Sequence, residues 1–144
     1  MTTPPEPPAT TLDWDAILAW RPRLADADAD LGGWRGGTPT DAGAITLPHV
    51  VLGDDAAGFL QELYDQQVVA PFDWGDWLQA RGRRLLEQDR ELAAATLEEC
   101  RRLLAALARS DRFVEGTFLG ALADGTIQRI LRRVAELREP PPSR

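Results

Sequence analysis

Lysine is absent from this chain of 144 residues, and all 16 basic residues are arginine. The chain therefore has no Schiff-base lysine and no phosphate-loop lysine, which excludes pyridoxal-phosphate chemistry and Walker-type nucleotide hydrolysis. A single cysteine, Cys100, excludes an internal disulfide and fits a reducing cytoplasm. A single histidine, His49, excludes metal sites built from several histidines. We expect no cofactor and no bound metal ion.

Nucleophilic side chains are also scarce. Ser110 stands at the end of a predicted helix, and Ser143 lies in a proline-rich tail. Cys100 lies within a leucine stripe, where we expect a buried apolar side chain. A Ser-His-Asp or Cys-His set would have to bring His49 from a distant segment, so the sequence does not favour nucleophilic catalysis.

Long apolar runs are missing as well. No stretch approaches 18 consecutive apolar residues, so we expect no transmembrane helix and no membrane partner. Residues 1–11 contain neither a positively charged nor an apolar run, so we expect no signal peptide. These features predict a cytoplasmic protein.

Charge of one sign dominates the first half of the chain. Residues 1–72 hold 11 acidic residues and 3 arginines, whereas residues 73–144 hold 12 acidic residues and 13 arginines. The net charge of −7 argues against bulk electrostatic binding to nucleic acid or to anionic membranes.

An acidic cluster at Asp26, Asp28 and Asp30 begins like a calcium-binding loop. An EF-hand requires glycine at the sixth position and glutamate at the twelfth. Leu31 and Gly37 occupy those positions here. We therefore interpret this cluster as a solvated acidic loop.

Helical periodicity is the main structural signal. It predicts a mainly α fold, a compact bundle of five to six helices, with one domain over residues 12–138. Residues 1–11 and 139–144 are predicted to be a disordered proline-rich tail and a proline-rich tail, respectively. The expected buried faces include Ala56, Phe59, Leu60, Leu63 and Tyr64 in one helix, Leu97, Cys100, Leu103, Leu104 and Leu107 in another, and Ile127, Ile130, Leu131, Val134 and Leu137 in the last.

A small extended element is predicted near residues 44–52, where β-branched residues surround Pro48. The preceding glycine-rich segment, residues 32–37, is predicted to be a flexible surface loop. Its backbone N–H groups and Arg35 offer an alternative phosphate-binding role. Trp34 is unusual in such a loop, because an indole favours a partner or a groove.

The segment Pro71-Phe72-Asp73-Trp74-Gly75-Asp76-Trp77 is the most informative motif. Asp73 is expected to cap a helix whose first turn places Trp74 and Trp77 on one face. A second turn contains Asp111, Arg112 and Glu115. If the two turns meet, Arg112 would bind an anionic group and the indoles would stack on a flat ring. The alternative is purely structural: Asp73 and Asp111 act as helix caps, and Arg112 pairs with a carboxylate and holds the turns in place. The candidate ligand-binding residues are Asp73, Trp74, Trp77, Asp111, Arg112 and Glu115.

Arginines line the polar face of the last predicted helix. Arg129, Arg132 and Arg133 are the candidate partner-binding residues, and Arg138 follows them. An acidic partner protein or the acidic first half of the chain is the expected target. Weak nucleic-acid binding through a helix-turn-helix-like arrangement is an alternative that the net charge opposes.

Several blocks of the sequence resemble an uncharacterised bacterial family, domain-of-unknown-function 6508. The blocks are Leu63-Tyr64, Pro71-Phe72-Asp73-Trp74 with Trp77, Asp111-Arg112-Phe113 with Glu115-Gly116, and Ile130-Leu131-Arg132-Arg133. The resemblance covers residues 12 to 138. A histidine often follows the Glu-Gly pair in that family, whereas Thr117 stands here. The resemblance implies a fold unit and no particular activity.

The sequence therefore predicts a non-enzymatic protein-interaction or regulatory module whose partner is another protein. A small-molecule binder or enzyme that uses the Trp74, Trp77 and Arg112 patch for an anionic or aromatic ligand is the first alternative. Weak binding of nucleic acid is the second.

Overall fold

The computed structural model describes residues 12–36, 43, 47–70, 73–111 and 114–138. The mainly α prediction is confirmed, together with a small two-stranded antiparallel sheet. The two predicted tails, residues 1–11 and 139–144, lie outside the described residues. In chain order the elements are α1 (Trp14–Leu18), α2 (Arg21–Ala25), β1 (Gly32–Arg35), β2 (His49–Leu52), α3 (Asp54–Asp65), α4 (Trp74–Trp77), α5 (Arg83–Glu87), α6 (Asp89–Ala93), α7 (Leu97–Ser110), α8 (Thr117–Ala123) and α9 (Thr126–Arg138).

The buried core draws on nearly every helix. Phe59 of α3 stacks on Phe118 of α8 with ring centroids 6.2 Å apart, and Trp20 meets Phe59 edge-on. Most positions of the predicted stripes are buried, Leu60 and Leu97 are partly buried, and Tyr64 and Leu137 remain 41% and 38% exposed. The largest fully buried side chains in the helices are Ile17, Phe59, Leu63, Leu85, Leu103, Leu104, Phe118, Leu122, Ile127, Ile130 and Leu131.

The small sheet corrects one prediction. Residues 32–35 form strand β1 and pair with β2, so that Trp34 lies opposite Val50. The loop prediction for this segment was wrong because a short glycine-rich strand has no apolar alternation of its own. Its partner strand supplies the backbone hydrogen bonds instead. The predicted extended element is confirmed at His49–Leu52, whereas residues 44–46 lie outside the described residues.

A π-helical turn, Leu78–Gly82, joins α4 to α5 and makes one helical rod over residues 74–87. Trp77 contacts Arg102, and Arg81 contacts Glu99 four residues further along the rod. Residue numbers rise along the rod while they fall along α7, so the two helices are antiparallel. The N-terminus of α4 therefore points toward the carboxyl end of α7.

Local capping explains why α7 begins where it does. The Thr96 hydroxyl accepts a hydrogen bond from the backbone N–H of Glu99 (3.1 Å), and the Glu99 carboxylate accepts one from the backbone N–H of Thr96 (3.0 Å). This capping box satisfies two N–H groups that the first turn of a helix leaves unpaired. None of the helices in the described part of the chain has the length and apolarity that a bilayer crossing requires.

Candidate functional site

The aromatic helix start has the predicted cap. The Asp73 carboxylate accepts a hydrogen bond from the backbone N–H of Asp76 (3.5 Å). A side-chain hydrogen bond to Asp73 and the charge of that group raise the pKa of Asp76. Trp74 is partly buried in the first turn of α4. Pro71 and Phe72, which complete the motif, lie outside the described residues.

Trp77 lies against the edge of the core rather than over open solvent. The guanidinium of Arg102 stands 5.9 Å from the centre of a Trp77 ring, within cation–π range. On the rod itself, a Cβ at Gly82 would come within 2.9 Å of the indole. The indole is therefore packed by protein atoms from α7 and from the next turn of its own rod.

The second predicted turn, after α7, uses its carboxylates to hold backbone. Asp111 accepts hydrogen bonds from the N–H groups of Gly116 (3.2 Å) and Phe118 (3.0 Å), which fixes the start of α8. Glu115 accepts one from the backbone N–H of Val50 in β2 (3.3 Å). Asp111 thus holds the start of a helix, as the structural alternative expects, whereas Glu115 holds strand β2.

The turn after α7 meets the sheet. The indole of Trp34 lies so close to Gly116 that an added Cβ would come within 2.7 Å of it. Gly116 has φ +94°, in the region that favours glycine, so the turn is built for this approach. Trp34 thus finds the partner that an indole in this segment was expected to need, although it stays 54% exposed.

Polar contacts between the two predicted turns are described for part of each turn only, because Phe72, Arg112 and Phe113 lie outside the described residues. The antiparallel packing of α4 on α7 directs Asp73 toward the end of α7 that carries Asp111. Among the described residues, however, no hydrogen bond or ion pair links Asp73 with Asp111 or Glu115. Arg112, the residue expected to bind an anion, lies outside the described residues. The assignment of this set as a ligand site stays a prediction.

The arginines of α9 differ in what they contact. Arg129 forms an ion pair with Asp89 of α6. Arg133 donates to the carbonyl of Ala95 (2.9 Å) and pairs with Glu136 (3.4 Å). Among the described residues, the expected pairing with the acidic first half of the chain is found at the end of α9, where Arg138 lies 3.1 Å from Asp15 of α1.

Arg132 stands apart from these neighbours. It is exposed on α9 and makes no ion pair with any residue that the structure describes. It also lies between two grooves and lines both of them. The first groove has a volume of about 250 Å³ and is lined by Asp89, Leu92, Ala93, Arg129, Arg132, Arg133 and Glu136.

The second groove lies between α2 and α9 and has a volume of about 490 Å³. Its apolar lining comes from Leu18, Pro22 and Ala25, and Arg21 is its second cation. Arg21 was not among the residues predicted from the sequence. The one local feature that indicates its position is Pro22, because proline is favoured in the first turn of a helix and so places Arg21 at the start of α2.

The remaining reactive side chains are not assembled into a site. Burial raises the pKa of the Cys100 thiol to about 11, and the nearby Arg133 charge only partly offsets that effect. His49 is exposed, and its Nδ1 lies 3.1 Å from the Leu47 carbonyl. Within the described ranges, no group of three or more His, Cys, Asp or Glu side chains could hold a metal ion.

Comparison with known proteins identifies the family. The chain belongs to a family of unknown function, DUF6508, whose family model matches residues 9–140. The resemblance seen in the sequence blocks is thereby confirmed. No curated protein and no solved structure matches the chain. Functional inference therefore rests on the residues and their geometry.

Proposed function

We propose that this member of the family is a non-enzymatic protein-interaction module, and that α9 and α2 carry the surface that binds an acidic partner protein. The observation that carries the proposal is Arg132. Its neighbours Arg129, Arg133 and Arg138 each pair with a carboxylate of the same chain, whereas Arg132 pairs with none among the described residues. It lines two neighbouring surface grooves.

Local rather than net charge determines whether such a surface attracts an acidic partner. Screening limits the reach of exposed charges to roughly 8–10 Å at physiological salt. Arg132 shares one groove with Arg129 and Arg133, whose charges Asp89 and Glu136 offset, and it shares the other groove with Arg21, so each groove keeps a positive charge that its own lining does not neutralise. A partner carboxylate therefore meets a basic surface although the whole chain carries a net charge of −7. Arginine is also enriched at protein interfaces.

The ligand-binding alternative has less support because its carboxylates are already used. Asp111 and Glu115 accept backbone hydrogen bonds that hold α8 and β2, and Trp77 is packed under Arg102. A ligand at this place would have to compete with these contacts. We propose a cytoplasmic location, which the single buried thiol of Cys100 supports.

The test compares matched charge reversals in the full-length protein. Tagged wild type, Arg132→Glu and Arg84→Glu are used as baits in native lysate, and captured proteins are identified by mass spectrometry. Arg84 is the control because it is exposed on α5, lines neither groove and has no ion pair with a described residue.

We expect one acidic protein to bind wild type and Arg84→Glu but not Arg132→Glu. The purified pair should lose affinity as salt rises, since exposed charges are screened. A partner captured equally by all three baits would contradict the proposed surface. Capture of no protein by any bait would contradict the interaction role.

A further inference from the structure

The groove between α2 and α9 combines an apolar floor with two cations. Leu18, Pro22 and Ala25 supply the floor, and Arg21 and Arg132 stand at its edge. Neither arginine has an ion pair with any residue in the described ranges. Its volume of about 490 Å³ falls within the range of roughly 300–1,000 Å³ that small-molecule pockets occupy. The groove is therefore large enough to receive a side chain.

We infer that this groove receives an apolar side chain of the partner, flanked by carboxylates that pair with Arg21 and Arg132. The occupant is thus an acidic segment with an apolar anchor, such as leucine between aspartates and glutamates. This inference rests on the proposed function and adds the chemistry that the partner must present.

Charge complementarity selects an acidic occupant, and the floor selects an apolar one. A bare anion such as phosphate would satisfy the arginines but leave the floor in contact with water. A purely apolar segment would cover the floor but leave two guanidinium groups beside it without a counter-charge, which is unfavourable where water is excluded. Of these three occupants, only a segment with both features covers the floor and pairs both arginines.

The neighbouring groove fits an apolar anchor less well. It shares Arg132, but Asp89 and Glu136 line it, and these carboxylates repel an acidic segment. Two of its three arginines, Arg129 and Arg133, are already paired within the chain. The acidic segment is therefore expected to lie along Arg132 and to place its apolar residue between α2 and α9.

The experiment measures the binding of defined peptides to the full chain by fluorescence anisotropy. The first probe is fluorescein-Gly-Asp-Glu-Leu-Leu-Glu-Asp-Gly. The second carries serine in place of both leucines and has the same charge. The third carries lysine in place of every acidic residue and keeps both leucines. Octanoate serves as a small amphiphilic acid, and its binding to the full chain is measured directly by isothermal titration calorimetry.

We expect the leucine peptide to bind at least about tenfold more tightly than the serine peptide, because burial of a leucine side chain is worth roughly one to two powers of ten in affinity. The lysine peptide should not bind. Arg21→Glu should lower the affinity for the leucine peptide at least tenfold, while Arg84→Glu should leave that affinity unchanged within twofold.

A second pair of variants tests the floor without changing charge. Ala25→Trp fills the groove from the last residue of α2, where Ala25 is exposed. Ala123→Trp is the control, since Ala123 is the exposed last residue of α8 and lines neither groove. We expect Ala25→Trp to bind the leucine and serine peptides with equal affinity. Ala123→Trp should keep the higher affinity for the leucine peptide. Circular dichroism establishes that each variant is folded.

The outcomes separate this inference from the proposed function. Equal binding of the leucine and serine peptides, abolished by Arg132→Glu, would overturn the apolar anchor and keep the acidic partner surface. Binding of octanoate without binding of either acidic peptide would assign the groove to a small amphiphilic acid and overturn the inference. Failure of all probes would overturn the inference and weaken the proposed function with it.

Discussion

Substitution of Gly53 by alanine should lower the free energy of unfolding. The absence of a side chain at Gly53 leaves room for Asp30, which caps the start of α3. Asp30 lies across the start of α3. Its carboxylate accepts a hydrogen bond from the backbone N–H of Asp54 (3.2 Å), and its carbonyl accepts from those of Asp55 (3.0 Å) and Ala56 (3.3 Å). A Cβ on Gly53 would overlap the Asp30 carboxyl and lie 2.5 Å from the Asp30 carbonyl oxygen.

The expected cost follows from these contacts. Gly53 has φ −72° and ψ 173°, which alanine also adopts, so the cost is steric rather than conformational. Displacement of Asp30 removes four hydrogen bonds to the first turn of α3, including the one that the Asp30 N–H donates to the Asp55 carboxylate (2.8 Å), at roughly 1 kcal/mol each. The lower conformational entropy of the unfolded variant offsets about 0.4–1 kcal/mol of this loss. We expect a net loss of about 3 kcal/mol and a fall in Tm of roughly 8 °C.

Urea unfolding followed by circular dichroism measures this loss. Gly75→Ala and Gly120→Ala are matched controls, because a Cβ at either helical position meets no atom within 4 Å. Both should stabilise the protein by about 0.5–1 kcal/mol, since glycine is a poor helix former. A Gly53→Ala variant as stable as these controls would refute the role of Asp30 as the cap of α3.

Three further predictions concern single side chains. Thr96→Ala should lower the free energy of unfolding by about 1 kcal/mol because it removes the capping box, whereas Thr96→Ser should be nearly neutral. An equal loss of stability in the two variants, measured by urea unfolding, would contradict this. A hydrogen bond from Arg101 is the main cause that lowers the pKa of Glu98 in the folded protein. The stabilisation by the ionised Glu98 is therefore present above the unfolded-state pKa of about 4.3, and it is lost as the pH falls through the lower folded-state pKa. The stability gap between wild type and Glu98→Gln should therefore narrow on acidification from pH 7, and a constant gap would disprove the pairing. Because burial raises the pKa of Cys100 to about 11, Ellman's reagent should modify the thiol only after denaturant is added, and rapid modification at pH 8 without denaturant would contradict its burial.

Local sequence patterns predicted the longer helices well. The leucine stripe predicted the buried face of α7, whose start is capped by Thr96 and Glu99, three positions apart. At the end of α8, Gly125 has φ +87°, which a left-handed cap requires. The Asp73 cap of α4 was predicted because Asp73 and Asp76 are also three positions apart.

Contacts between distant segments were not predictable. Strand β1 exists because residues 32–35 pair with residues 49–52 and because Trp34 settles on Gly116. Asp30 caps a helix that begins 24 residues later. Neither relation leaves a periodic signal in the sequence, since periodicity reports only which residues share a face of one element.

The candidate sites show the same division. The composition pointed to the arginines of α9, but all of them look alike in sequence. Packing of α6, α1 and the segment before α7 against α9 occupies Arg129, Arg138 and Arg133 and leaves Arg132 unpaired among the described residues. Packing of α2 beside α9 adds Arg21, which sequence reasoning had no ground to choose.

By itself, the sequence determined the mainly helical fold, the local cap of α4, the buried stripes and the family, because each follows from residue type and from spacing of a few positions. Only the tertiary structure decided which arginines are neutralised, which carboxylates hold backbone and where apolar surface borders unpaired charge. Those properties depend on distances between segments that the chain separates by tens of residues, and such distances are set by how the helices pack.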